Sequence, residues 1–278
     1  MRWRILSMGL STLLGWAPKG FFIPYRYAGE VPGAGSRRPY QALASVFADA
    51  EGAFEGHLRV IEGYADALTA IGGAPPPAPR FDQDWFPSLD AAAAYAMVRA
   101  RRPARIVEVG SGHSTRFLAR AAMDEGHDCR ILAIDPAPRA TLDGLEIKIR
   151  RENLITAGLA PFRDLGPGDF VVVDSSHILM PGSDVDDILN RVLPALPAGV
   201  LVHFHDVFLP DDYPESWAWR GYNEQNALGA LVAGGGWELL FASHYVASHM
   251  ASRLESSVVA RLPTVPGARV TSLWLVKR

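Results

Sequence analysis

The sequence predicts an α/β fold: a doubly wound, mostly parallel sheet with helices on both faces, preceded by a helical segment. Three observations predict it. From residue 89 onward, short β-branched runs alternate with stretches of helical periodicity, the pattern of successive βαβ units. The first of these runs, Arg-Ile-Val-Glu-Val at 105–109, passes directly into the turn Gly110-Ser111-Gly112 and then into a helical stretch. The second, at 130–135, ends on Asp135.

In chain order, residues 1–16 place Arg2 and Arg4 ahead of an apolar run from Ile5 to Trp16. The run is too short to span a bilayer, and no A-x-A site follows it. The segment superficially resembles a secretory leader, but with Lys19, Arg26 and GFFIPYRY close behind it is expected to be a helix packed on the body or over the active site, with no stable membrane insertion, the alternative being a cleaved or membrane-touching segment. Between residues 38 and 71, Tyr40, Leu43, Phe47, Phe54, Leu58, Ile61, Tyr64, Leu68 and Ile71 recur largely at helical spacing, so one long helix or two short ones is expected. Gly72 and Gly73 stop the pattern, and the stiff GGAPPPAPR stretch marks a boundary. Residues 1–80 therefore read as a helical extension, or lid, and residues 81–278 as the α/β body.

In the body, an Ala-rich helix at 89–100 ends before Pro103, and helices are expected at 114–125, 184–193 and 223–233. The buried run at 105–109 and further runs at 130–135, 146–150, 169–174, 200–205, 237–242 and 271–276 read as strands, seven in all.

Composition narrows the partners. Apolar residues make up 49% of the chain and charged residues 21%, the balance of a folded globular protein. Lys plus Arg total 27 against 30 Asp plus Glu, so no positive excess points to nucleic acid. The lone Cys129 can form neither an intrachain disulfide nor a zinc knuckle, which fits a reducing cytoplasm.

In such folds ligands bind at the carboxyl ends of the strands. After the first strand, Gly110 and Gly112 let the backbone turn tightly and approach a ligand at a helix N-terminus. The motif is not G-x-G-x-x-G, because Thr115 stands at the third position. Asp135 can accept hydrogen bonds from both hydroxyls of a ribose, so a nucleoside-type ligand is expected.

VEVGSGHST and LAIDP resemble the first two motifs of the class I S-adenosyl-L-methionine (SAM) dependent methyltransferases, an acidic-x-G-x-G turn and an acidic residue after strand two. Within that superfamily DSSH, HFHDVFLPDDYP, GFFIPYRYA and RGYNEQ are similar to a bacterial methyltransferase-domain group, from Gly20 to the C-terminus. The resemblance implies a Rossmann-like sheet with SAM as cofactor. It implies Glu108 near the SAM ammonium, Gly110 and Gly112 against its methionine part and Asp135 on its ribose, with Ser111 and Ser114 completing the binding loop.

Two further strand ends carry candidate chemistry, Asp174-Ser175-Ser176-His177 and His203-Phe204-His205-Asp206. His203 and His205, two apart on a strand, share a face. Asp174, His177, His205 and Asp206 could bind a divalent cation, Mn, Fe or Zn through carboxylate and imidazole or Mg through carboxylate and water. The same four could instead act without metal, His205 or His177 serving as a general base oriented by a carboxylate. Some O-methyltransferases of this fold hold Mg with an Asp after strand four and an acidic pair after strand five. Here His205 and Asp206 replace that pair.

The aromatic stretch from Phe208 to Gln225 is expected to be a substrate lid, suiting a small-molecule acceptor such as a sugar or phenol. His113 and Ser114 are expected to cap the helix after the glycine turn. The expected activity is O-methyl transfer to a small molecule. A nicotinamide-dependent oxidoreductase and a non-catalytic SAM-binding scaffold are the alternatives, and a homo-oligomer is compatible with either.

Overall fold

A computed structural model describes residues 2–278. Met1, the first residue of the 1–16 segment, lies outside the described residues. The chain divides into two compact units, Met1–Arg37 and Arg38–Arg278.

In the first unit, helix α1 (Arg2–Leu13) is followed by a reversal in which the Trp16 amide donates to the Ser11 carbonyl and the Lys19 amide to Thr12 Oγ1. This unit leaves large apolar groups in solvent, with Trp3 83% and Trp16 77% exposed. No described helix is long and apolar enough to cross a membrane.

The second unit opens with α2 (Gln41–Asp49), α3 (Glu51–Glu62) and α4 (Ala65–Thr69), three helices where the periodicity predicted one or two. Ala50 separates the first pair, and Gly63 with Tyr64 the second. Their apolar stripe is buried: Phe54 packs edge-on against Phe241 and Tyr245, and Phe47 lies against Tyr245. His57 is buried in the same layer, its Nε2 donating to the Ala93 carbonyl at 3.1 Å.

Helix α5 (Ser88–Arg101) is buried at every position from Ser88 to Val98. A helix apolar around its whole circumference must be enclosed, and its alanines allow close approach on all sides. Arg102 ends it in the left-handed conformation (φ 51°), ahead of Pro103.

The sheet follows: β1 (Arg105–Val109), α6 (His113–Glu125), β2 (Arg130–Ile134), β3 (Lys148–Arg150), α7 (Leu154–Ala157), β4 (Phe170–Val173), α8 (Asp184–Asp187), α9 (Leu193–Ala195), β5 (Leu201–Phe204), α10 (Glu224–Ala233), β6 (Trp237–Ala242), α11 (Ser243–His249), α12 (Ala251–Glu255) and β7 (Leu273–Lys277). The expected helix at 184–193 is interrupted by a π-helical turn, Ile188–Val192, between α8 and α9.

The seven strands lie in the order β3-β2-β1-β4-β5-β7-β6, with β1 to β5 mutually parallel and β7 antiparallel to both its neighbours. Strand order reverses between β1 and β4, so the crevice for a ligand opens where Gly110 and Asp174 leave the sheet.

Buried Asp90, on α5, accepts from the backbone amides of Thr271 and Ser272 and fastens the entry to β7. On the opposite flank, Cys129 is half-buried beside an apolar groove of about 410 Å³ lined by Pro79, Met123, Ile131 and Leu145. Burial pushes its thiol pKa up to about 12.

Candidate active site

The site begins at the glycine turn. Gly110 has φ +81°, and a Cβ there would collide with the Asp174 carbonyl, so the turn after β1 can lie against the end of β4 only with glycine. The Gly110 amide donates to the Ile134 carbonyl and the Asp174 amide to the Val109 carbonyl, which locks the three strand ends together.

Asp135 is placed by the same turn. One of its oxygens accepts from the amide of Ser111 at 2.7 Å and from its hydroxyl at 2.9 Å, and the other from the Ala137 amide. A cavity of about 400 Å³ opens here, lined by Gly110, Ser111, Asp135, Asp174 and Ser175 among others. Its wall also includes Asn153 and Leu154, which the sequence reading passed over. Asn153 caps α7 through the Thr156 amide, and its Asn-Leu-Ile-Thr context reads as an ordinary helix start.

Glu108, Gly112 and Ser114 do not line that cavity. Glu108 is fully buried beneath the turn, accepting from Ser114 Oγ at 2.6 Å and Thr115 Oγ1 at 2.5 Å. Burial pushes its pKa up to about 8 against the opposing effect of those hydroxyls. The Gly112 amide donates to Thr115 Oγ1, so Thr115 caps α6. Ser114 is engaged with Glu108, and His113 Nδ1 is buried without a hydrogen-bond partner, so neither serves as the expected cap. Thr115, at the place of a third glycine, thus joins the turn, the helix and the acidic residue of β1.

The second centre is built on His177. Its Nε2 lies 3.2 Å from Asp174 Oδ1 and 3.4 Å from Asp206 Oδ2, while Nδ1 donates to Glu224 Oε2 at 3.0 Å. His177 and Asp206 both have positive φ, 59° and 58°, which is uncommon for residues other than glycine and is concentrated at functional sites. The His177 carbonyl accepts from the Asn223 and Glu224 amides, and Asn223 exchanges two hydrogen bonds with Leu179, so the start of α10 holds the loop after β4.

Asp174, His177 and Asp206 offer donor atoms within 4.8 Å of one another, a set with the chemistry of a divalent-cation site. Glu224 behind the imidazole orients it as carboxylates orient metal-ligating histidines. Burial works to lower the His177 pKa, but its hydrogen bonds to Asp174 and Glu224 and the charge of Asp206 raise it well above the usual value. Asp174 is held well below the ordinary carboxylate range, burial being outweighed by His205 and His177.

His205 is not part of this set. Its Nε2 lies 3.0 Å from the Trp85 carbonyl, which can only accept, so that nitrogen carries the proton. Nδ1 is buried and has no hydrogen-bond partner. Burial works to lower the His205 pKa, and the charges of Asp174, Asp206 and Asp90 raise it. His203 belongs to the core, its Nε2 on Ser272 Oγ at 2.9 Å and its ring against Trp274. Burial holds it well below its usual pKa.

A second cavity, of about 140 Å³, is lined by Trp85, Asp174, His205, Asp206, Trp217 and Arg220 among others. Asp174 and Arg139 line both cavities. The expected lid is firmly anchored: the Phe208 amide donates to Gln225 Oε1, Trp217 packs edge-on against Phe208, and His244 Nε2 contacts Asp211 at 2.9 Å.

Residues 107–207, from β1 to the loop after β5, match the family model described as a methyltransferase domain. Over those residues, about a third of its length, the chain is similar to methyltransferase domains. Solved structures similar to this chain include SAH-bound PaMTH1 from Podospora anserina, 16% identical, covering 93% of this chain and 99% of that one at a TM-score of 0.43. The cmcI-D160 Mg-SAM structure is 18% identical over 54% of this chain at a TM-score of 0.36, and this chain spans 63% of that chain's length. A branched-chain polyamine synthase from Thermus thermophilus, in complex with N4-aminopropylspermidine and 5'-methylthioadenosine, is 14% identical, covering 94% of this chain and 70% of that one at a TM-score of 0.41. No curated protein sequence matches this chain.

Proposed function

We propose that this chain is a SAM-dependent O-methyltransferase of a small molecule, with SAM in the larger cavity and the acceptor hydroxyl at the junction with the smaller one. The observation that carries the reading is Asp174, which lines both cavities and contacts His177 Nε2. Gly110, Ser111 and Asp135 are the residues read as holding SAM, with Asp135 on the ribose. Glu108, Gly112 and Ser114 support that loop from beneath.

SAM supplies an electrophilic methyl on a sulfonium. Transfer breaks the S–CH3 bond, its electron pair staying on sulfur, and forms an O–CH3 bond while the hydroxyl proton leaves. The residues must therefore hold the oxygen in line, exclude water and take that proton. Asp174, His177 and Asp206 are read as holding a divalent cation, which when bound would polarise the acceptor oxygen. His177 is unsuited to be the base, because its Nδ1 is given to Glu224 and its Nε2 to the cation. His205 is the better base, since its Nδ1 is unengaged while Nε2 is fixed by Trp85.

The residues lining both cavities fall within 81–278, which supports reading that segment as the catalytic body, although residues 38–80 pack into the same compact unit. Calorimetric titration with SAM and with NAD tests the cofactor, and only SAM should bind. His205→Ala should abolish transfer and leave SAM affinity nearly unchanged. Loss of both together would overturn this division of roles, and the absence of transfer to every acceptor would favour a scaffold.

A further inference from the structure

Three arginines line the smaller cavity beside the carboxylates of Asp84, Asp174 and Asp206. Arg139, Arg220 and Arg269 line it, and they come from three separate places: the loop after β2, the turn before α10 and the approach to β7. Among the described residues none of the three has a carboxylate at ion-pair distance. Arginines elsewhere in the fold do, such as Arg99 with Glu125 at 3.1 Å and Arg120 with Asp124 at 2.8 Å.

Two of the guanidinium groups are instead set against rings. Arg139 lies 4.6 Å from the Trp85 ring centroid, and Arg220 lies 4.1 Å from that of Trp217 and donates to the Tyr222 hydroxyl. Stacking fixes the plane of a guanidinium without neutralising it, which leaves its donors for an anion. The Arg220 Nε is buried and has no hydrogen-bond partner. Asp174 and Asp206 are turned to His177 Nε2, so the arginines keep planar forks that match carboxylate and phosphate oxygens.

We propose that the methyl acceptor carries an anionic group, a carboxylate or a phosphate, which Arg139, Arg220 and Arg269 bind while its hydroxyl reaches Asp174, His177 and Asp206. The proposal rests on the methyltransferase reading and names its substrate class. It separates this cavity from one built for a neutral sugar or phenol, which would leave three cations without partners.

The test uses the full chain loaded with SAH and titrated with benzoate, inorganic phosphate and benzamide. At least one anion should bind, and the two titrations tell carboxylate from phosphate, while neutral benzamide should bind at least tenfold more weakly. Arg139→Gln and Arg269→Gln, both at exposed side chains, should each weaken the anion about tenfold without changing the affinity for benzamide. Equal binding of benzoate and benzamide, no binding of either anion, or variants without effect would each overturn the proposal. Failure of SAH itself to bind would overturn the methyltransferase reading instead. The anion titration on the ligand-free chain would then still decide whether the arginines form an anion site. In turnover, hydroxybenzoate should exceed hydroxybenzamide in kcat/KM through KM, and the Arg269→Gln variant should erase that difference.

Discussion

Glu224 accepts the Nδ1 proton of His177 at 3.0 Å across 47 positions of sequence, so the start of α10 determines which way the central imidazole of the site faces. The carboxylate is buried and is matched to the ring on one side only, its Oε1 having no hydrogen-bond partner.

Glu224→Gln keeps an acceptor for Nδ1 and removes the charge, whereas Glu224→Ala removes both. Mn2+ affinity, measured by calorimetry, should fall about tenfold in the first and about a hundredfold in the second, the range for orienting partners of metal-bound histidines. SAM affinity should be unchanged in both. Equal Mn2+ affinity in all three proteins would remove Glu224 from the positioning of His177.

Gly110→Ala should abolish SAM binding. The substitution needs a left-handed alanine and meets the Asp174 carbonyl, so a cost of roughly 1–3 kcal/mol from strain alone is expected, with displacement of the loop in addition. Thermal unfolding and SAM titration of the variant report the two effects separately. Gly112→Ala meets no atom within 4 Å in the structure and should be the milder change.

Acid should destabilise the protein through His57. Burial, partly offset by the Ala93 carbonyl, lowers its pKa from 6.5 to about 4, so it folds as the neutral ring. Between those values the unfolded chain binds more protons than the folded one. This contribution to stability is complete above pH 6.5 and is lost as the pH falls towards 4. From pH 7.5 to 5 the loss is about 2 kcal/mol. His57→Gln retains a donor for Ala93, and its denaturant midpoint should fall less steeply over that interval. Parallel midpoint curves would remove His57 as the source.

Phe54→Ala tests the join between the leading helices and the sheet. Phe54 is fully buried against Phe241 and Tyr245, and its truncation should cost about 3–5 kcal/mol in chemical denaturation. A loss below about 1 kcal/mol would mean that α3 is not cooperatively part of the fold.

Most of the sheet was legible because buried parallel strands are continuous β-branched runs, and Arg-Ile-Val-Glu-Val and Phe-Val-Val-Val show the signal without interruption. The antiparallel entry of β7 between β5 and β6 was not legible, since strand order depends on packing and leaves no local mark. At the site, Asp174, His177 and Asp206 could be picked out because they follow strands directly. Glu224 could not, because a glutamate at a helix start has an ordinary local role and its partner lies 47 residues away. His203 and His205 look equivalent in sequence, yet one packs on Trp274 and Ser272 while the other lines a cavity. Their separation depends on what faces each position, Ser272 from β7's approach in one case and Trp85 in the other.

The half-buried Cys129 gives the molecule a built-in clock. With a pKa near 12, roughly one thiol in a hundred thousand is ionised at neutral pH while β2 and the neighbouring groove are intact. In the unfolded chain the fraction rises to a few per cent, so alkylation proceeds mainly through openings of that flank. The alkylation rate therefore counts those openings, at a single position and without an added label. Ligands that bind only the folded body should slow it in proportion to their affinity.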